Sequence, residues 1–235
     1  MTSVLVARLR LDTDPSALAV AAAIVDDAER ARAARFVRDA DRARHLLGRA
    51  LARVLLARRT GVAPASLRLV ADADGKPALD GPGPAFNLSH SGDWIACVLA
   101  DDTPVGVDVQ ETTASMARPD DFGRVFGPRE RARIDGMPDE AARIAAFAHA
   151  WARKEALLKA VGVGLQLKLD DVDIVDGADG PRWDAPADAR SAAALAGAWT
   201  LRDVSADARH ACAVAWRGGP RSVEVIELDA ASLRA

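Results

Sequence analysis

The stretch Trp151-Ala152-Arg153-Lys154-Glu155-Ala156-Leu157-Leu158-Lys159 combines helix-forming residues with cations and a carboxylate. On a helix of 3.6 residues per turn, Trp151, Glu155 and Lys159 share one stripe, and Lys154 and Leu158 share the stripe beside it. One carboxylate and two ammonium groups can then face a single pocket. The alternative is an ordinary surface pair of Glu155 and Lys159, contributing about 0.2–0.5 kcal/mol. Upstream, Gly106-Val107-Asp108-Val109-Gln110 reads as a strand, whose alternation sends Asp108 and Gln110 to one face and the two valines to the other. Asp108 and Glu155, with the Gln110 amide oxygen as a weaker third donor, suit a hard cation such as Mg²⁺, which keeps water or substrate phosphate in its remaining positions. The alternative for Asp108 is a solvated carboxylate at a strand end.

Three further stretches carry groups that suit an anion. Phe86-Asn87-Leu88-Ser89-His90-Ser91-Gly92 gathers hydroxyls, an imidazole and backbone N–H groups at a strand end, with no serine-protease arrangement around His90. Lys76 lies in a turn between Gly75 and Pro77. From Arg30 to Arg59 there are ten arginines, no lysine and only two acids, Asp39 and Asp41. That block, which includes Arg32 and Arg44, can contact phosphate or can be the wet face of a helix.

The elements that must position these groups are legible in the spacing. Val4 to Leu11 alternates as a strand, Ser16 to Val37 suits one or two helices, and Asp39 to Arg59 is an amphipathic helix with Leu46, Leu47, Leu51, Val54 and Leu55 on its apolar face. Gly61 and Pro64 stop it. Leu67–Val70 is a short strand, and 72–84 is a turn-rich connection. Ala85–Leu88, Trp94–Ala100 and Val105–Val109 follow as three strands in the middle of one sheet, with Ser89 to Asp93 as a turn. Pro128 opens a helix to about Ile134, and a long helix runs from Asp139 or Glu140 to Val161, ended by Gly162 and Gly164. Strands are expected at Leu169–Val175, Ala198–Val204, Ala211–Trp216 and Val223–Leu228. The cysteine-bearing segments around Cys97 and Cys212 echo one another. Either chance or two related halves explains this, and in the second case the default ligand site is a cleft between them. The expected class is α+β, divided as 1–104 and 105–235.

Composition excludes several functions. A formal net charge of −3 provides no global basic field for nucleic acid or a membrane surface, and 50% hydrophobic content is ample for a core. Both cysteines lie alone in apolar runs, so neither a disulfide framework nor a zinc site is indicated. No apolar run spans a bilayer and the first ten residues lack a secretory pattern, which makes the cytoplasm the expected location.

Lys76, the Asn87–Gly92 segment, Gly106-Val107-Asp108-Val109-Gln110 and Trp151-x-x-Lys154-Glu155-x-x-x-Lys159 with Gly162 and Gly164 together resemble the 4′-phosphopantetheinyl transferases of the surfactin-synthetase-activating type, from about Arg35 to Asp173. The resemblance implies a monomer of two similar α+β halves in a pseudo-two-fold relation, binding coenzyme A and Mg²⁺ in the cleft between them. It implies transfer of phosphopantetheine to a serine of an apo acyl or peptidyl carrier protein, with release of adenosine 3′,5′-bisphosphate. By the same resemblance Asp108 and Glu155 look like metal ligands, with Gln110 where the family commonly has an acid. Water or a bulge recruiting Glu111 can compensate at Gln110. Lys159 looks like a cation on the pyrophosphate; Ser89, His90, Lys76, Arg44 and Arg32 are nucleotide contacts, with Lys154 a further cation. Glu130, in Phe126-Gly127-Pro128-Arg129-Glu130, matches a family glutamate near the attacking hydroxyl and is a candidate base or water-orienting group. Val161–Leu169 corresponds to the carrier docking segment. The rival readings are a non-catalytic binder of coenzyme A or carrier protein, motivated by Gln110, and a different Mg²⁺-dependent nucleotide enzyme.

Overall fold

The computed structural model describes residues 3–71, 76–113, 125–162, 167–177, 180–183, 186 and 188–234. Contacts divide the chain into two compact units, Met1–Asp102 with Arg221–Ala235, and Thr103–Pro220. The expectation that 105–235 forms one half is corrected at its C-terminal end. Strand β11 (Val223–Leu228) pairs in parallel with β1 (Val4–Arg10), and Ala230 and Leu233 beyond it enter the first unit's core.

In the first unit the helices are α1 (Pro15–Ile24), α2 (Asp27–Ala33) and α3 (Asp39–Thr60). Its main sheet has the order β11-β1-β5-β4, with β4 at Ala85–Ser91 and β5 at Trp94–Ala100. Leu47, Leu51 and Leu55 recur at helical spacing on α3 and pack with Ile95, Cys97 and Leu99 of β5 and with Ala7 and Leu9 of β1. Gly61, left-handed at φ 72°, ends α3 by turning its N–H to the Ala57 carbonyl. Two local expectations are corrected. The 72–84 connection contains a strand, β3 (Pro77–Leu79), paired with β2 (Leu69–Ala71). Ser89, His90 and Ser91 belong to β4 rather than to a turn. Only Gly92 and Asp93 separate β4 from β5, because Gly92 adopts φ 54° and closes a two-residue hairpin.

The second unit has a three-stranded sheet of order β6-β10-β9, with β6 at Val105–Glu111, β9 at Trp199–Asp203 and β10 at His210–Arg217. Its helices are α4 (Pro128–Asp135), α5 (Glu140–Val161) and α6 (Ala189–Ala194), and β7 (Ile174–Gly177) pairs with β8 (Gly180–Trp183). The expected run of three neighbouring strands through β6 is corrected, since β5 is already flanked by β1 and β4, and β6 satisfies its backbone groups on β10. Leu169–Val175 is likewise not one strand. Leu169–Asp171 is a 3-10 turn, and the carbonyls of Leu169 and Val172 accept from the Lys154 side chain rather than from a neighbouring strand.

A shift of 101 residues carries β1 onto β6, α3 onto α5, their glycine caps Gly61 onto Gly162, and Glu-Arg-Ala-Arg at 29–32 onto the same tetrapeptide at 130–133. This is the internal repeat; the pairing of Cys97 with Cys212 is not. Cys97 packs in the core beneath α3, whereas the residues packed with α5 are Ala211, Ala213 and Ala215, so alternation turns Cys212 to the other face.

Candidate functional site

In the second unit, Gly106 decides how closely helix and strand approach. A Cβ there would stand 2.2 Å from the Ala156 carbonyl oxygen and 2.4 Å from the Ala160 nitrogen of α5. Only glycine permits backbone contact, and that contact brings the next residue on the same face, Asp108, to the helix stripe of Glu155 and Lys159. Val107 and Val109 are buried, as alternation requires, and Asp108 is only 5% exposed. Lys159 Nζ lies 2.6 Å from Asp108 Oδ1 and 3.3 Å from the Val107 carbonyl oxygen. Glu155 is half-buried, and burial raises its pKa, with Lys159 opposing and the Asp108 charge adding to the rise. Two carboxylates are therefore within electrostatic reach of one another on a partly dehydrated wall, with one ammonium as counter-charge.

Oxygen donors of this kind fit a hard cation, which relieves the repulsion that one lysine only partly offsets. The described residues contain no group of three or more His, Cys, Asp or Glu side chains disposed for a metal, and Gln110, the next residue on the Asp108 face of β6, is half-buried. The expected alternative through Glu111 is corrected: β6 keeps an unbroken register with β10 from Val105 to Glu111, with no bulge, and Glu111 Oε1 accepts from Arg209 at 3.3 Å.

Lys154 and Glu130 are not where the sequence places them. Each is 2% exposed. Lys154 Nζ donates to Glu130 Oε2 at 2.8 Å, to the Leu169 carbonyl at 2.8 Å and to the Val172 carbonyl. Its three donors are thereby engaged inside the unit, where the sequence led one to expect a cation for coenzyme A. Burial pushes the Glu130 carboxyl up to about 7 against the pull of Lys154, and it holds Lys154 below its ordinary value. Trp151 packs with Phe126, Phe147 and Ile134 rather than lining the acidic wall. Within the proposed docking segment, Leu167 and Leu169 are core residues and Lys168 is exposed; residues 163–166, including Leu165 and the Gly164 helix stop, lie outside the described residues.

The first unit holds a separate basic set. Buried Ser89 and exposed His90 end β4, Lys76 precedes β3, and Arg32 is exposed on α2. Arg44, expected as a nucleotide contact, braces the β4–β5 hairpin beside this set: its Nε and Nη2 donate to the Gly92 carbonyl at 3.1 and 2.9 Å and its Nη1 to Asp41 at 2.8 Å. His45 and Arg49 are additions that the spacing did not single out. His45 is driven down to about 4 by burial and by the charges of Arg49, Arg32 and His90, each within electrostatic reach of its ring. Arg32 and Arg49 also line an open 160 Å³ pocket together with Asp26, Glu29, Leu69, Val70 and Pro77. The signal that could have found them is their spacing. His45 and Arg49 are four apart on the face of α3 nearest α2.

Comparison with known proteins gives two matches to family descriptions. Residues 104–215 match the 4′-phosphopantetheinyl transferase superfamily, and residues 12–102 match the 4′-phosphopantetheinyl transferase N-terminal family. A 4′-phosphopantetheinyl transferase of Bacillus subtilis is 33% identical over 157 residues, 65% of this chain and 66% of that protein. HetI, a 4′-phosphopantetheinyl transferase of Nostoc sp., is 33% identical over 171 residues, 71% of each chain. Sfp of Bacillus subtilis strain 168, also named a 4′-phosphopantetheinyl transferase, is 31% identical over 150 residues, 62% of this chain and 64% of that one.

Proposed function

We propose that this chain, which belongs to the 4′-phosphopantetheinyl transferase family, moves phosphopantetheine from coenzyme A to a serine of an apo carrier protein. The observation that carries the reading is the acidic wall of the second unit, where Asp108 and Glu155 share one field and Lys159 reaches Asp108. In the transfer, the serine oxygen forms a bond to the β-phosphorus of coenzyme A as the bond to the α-phosphate oxygen breaks. The serine proton passes to an acceptor, and adenosine 3′,5′-bisphosphate leaves.

Asp108 and Glu155 would hold Mg²⁺, with Gln110 or water completing the set, and the bound ion supplies charge neutralisation at the phosphoryl oxygens. Lys159 supports the same reading as a fixed ammonium for the leaving phosphate. In the first unit, Arg32, Arg49, His90, Ser89 and Lys76 are read as the groups for the nucleotide phosphates, which need fixed cations in a protein of net charge −3. The proposed partner is an acidic carrier protein, met by a chain acting as a monomer. No helix among the described residues is long and apolar enough to cross a membrane.

The test is incubation with coenzyme A, Mg²⁺ and apo carrier, followed by mass measurement of the carrier. A gain of one phosphopantetheine, abolished by chelation, is the expected result. Gln110 favours one second reading, a binder of coenzyme A or carrier that performs no transfer, because an amide holds Mg²⁺ less firmly than a carboxylate. Coenzyme A that raises the melting temperature while the carrier mass stays unchanged would establish that reading instead.

A further inference from the structure

We infer that Glu130 and Lys154 are a positioning pair that locks α5 against α4 and the Leu169–Asp171 turn, and that neither exchanges a proton with the substrate. The inference rests on the transfer reading above. Its first support is access. Glu130 Oε2 accepts from both Lys154 Nζ at 2.8 Å and the Gly127 N–H at 2.9 Å, and Oε1 is enclosed, with the Ile174 backbone N–H also acting on the carboxylate. A general base must come within hydrogen-bond reach of the hydroxyl it deprotonates, directly or through one water. A carboxyl that is 2% exposed and occupied on one oxygen by two internal donors does not offer that reach.

The second support is that the first unit builds the same pair where the acidic wall is missing. Under the 101-residue shift Glu29 corresponds to Glu130, Arg53 to Lys154 and Asp26 to Gly127. Glu29 and Glu130 each stand third in their helix, α2 and α4, and each accepts from the N-cap backbone N–H, that of Asp26 and Gly127; Asp26 returns the bond to complete a capping box, whereas Asp173 accepts from the Glu130 N–H because Gly127 has no side chain. Arg53, 0% exposed, donates to Glu29 Oε2 at 2.7 Å and to Asp26 at 2.5 Å. It also donates to the carbonyls of Pro64 and Leu67 at the 3-10 turn after α3, as Lys154 does to Leu169 and Val172 after α5. By the same shift Asp108, Gln110 and Glu155 correspond to Ala7, Leu9 and Val54, all three in the first unit's core. A construction found both with and without the acidic wall belongs to the scaffold. Its effect on the reaction passes through α5, because fixing Lys154 fixes the rotation at which Glu155, the next residue, meets Asp108.

The test compares four proteins in the carrier-modification assay, with Mn²⁺ binding to the protein alone followed by electron paramagnetic resonance. Glu130→Gln keeps an acceptor for Lys154 and Gly127 but cannot take a proton; kcat is expected within tenfold of wild type, with a lowered melting temperature. Lys154→Arg installs the first unit's cation and keeps both kcat and Mn²⁺ affinity within threefold. Lys154→Met leaves Glu130 without its counter-charge and lowers Mn²⁺ affinity and kcat at least tenfold. A tenfold or larger fall in kcat for Glu130→Gln overturns the inference, as does equal Mn²⁺ affinity in Lys154→Met and wild type. If Glu130→Gln does not fold, the inference is judged on Lys154→Met, whose unchanged Mn²⁺ affinity overturns it. Absence of transfer by the wild-type protein refutes the proposed activity, and the pair is then judged on Mn²⁺ affinity alone.

Discussion

Each unit places a 22-residue helix on its sheet with a buried cation at the same helical position, yet the faces they bury differ in kind. In the first, the corresponding residues Ala7, Leu9 and Val54 are apolar members of the buried core. In the second, the corresponding positions carry Asp108, Gln110 and Glu155, and Gly106 lets α5 close on β6 at backbone distance. Burying carboxylates is unfavourable unless something compensates them. Two carboxylates on one wall, with Lys159 beside Asp108, set the second unit apart from the first. What the units share is scaffold, and what separates them is the candidate site.

The largest test of that contrast is Asp108→Ala, which gives the second unit the residue the first has. Transfer should fall about a thousandfold, roughly 4 kcal/mol in the barrier, while stability to denaturant stays level or rises. Wild-type transfer by this variant, measured by carrier mass at fixed time, would remove Asp108 from the site.

Next in size is Gly106→Ala. Adding a Cβ where no space exists should cost about 3 kcal/mol of stability and carry Asp108 away from Glu155. Urea denaturation of the whole chain reads the first effect. A denaturation midpoint equal to the wild type's would show that α5 does not need backbone contact with β6.

The third probe belongs to the first unit. His45 is held near 4 in the folded protein, against 6.5 ordinarily, and its ring is enclosed beside Arg49 and Arg32. Because the folded value lies below the unfolded one, its stabilising contribution is complete above pH 6.5 and is lost as the pH falls through about 4. After allowance for solvent screening of a half-buried ring, this is on the order of 2 kcal/mol. Melting temperatures of wild type and His45→Gln should therefore draw together between pH 6.5 and 4. Parallel curves would refute the basic basin.

The smallest expected effect is from Gln110→Glu, which supplies the acid that the resemblance leads one to expect. The Mg²⁺ concentration giving half-maximal transfer should drop about fivefold, near 1 kcal/mol. An unchanged Mg²⁺ requirement would place Gln110 outside the metal set.

Much of this was legible in the chain alone. Alternation in Val105–Glu111 and the 3.6-residue period of 140–161 assign Asp108, Gln110, Glu155 and Lys159 to facing sides of a strand and a helix, because side-chain direction follows from local backbone geometry. The apolar face of α3, the proline at the start of α4 and the glycines after both long helices are local signals of the same kind. The repeat was also present in the letters, as Glu-Arg-Ala-Arg at 29–32 and 130–133, although the cysteines drew attention to a false register.

Tertiary structure alone decided which charges face outward and which are enclosed. Nothing in the spacing of Lys154 and Glu155, adjacent on one helix, shows that the first is sealed against Glu130 and two carbonyls while the second stays half-exposed beside Asp108. Nor does sequence show that Arg44 turns to the Gly92 carbonyl, that β6 leaves the sheet of β5 for β10, or that the last strand returns to β1. These outcomes depend on partners tens of residues away, whose desolvation and hydrogen bonding must be satisfied together. Local periodicity fixes the direction a side chain points, and long-range packing determines what it meets there.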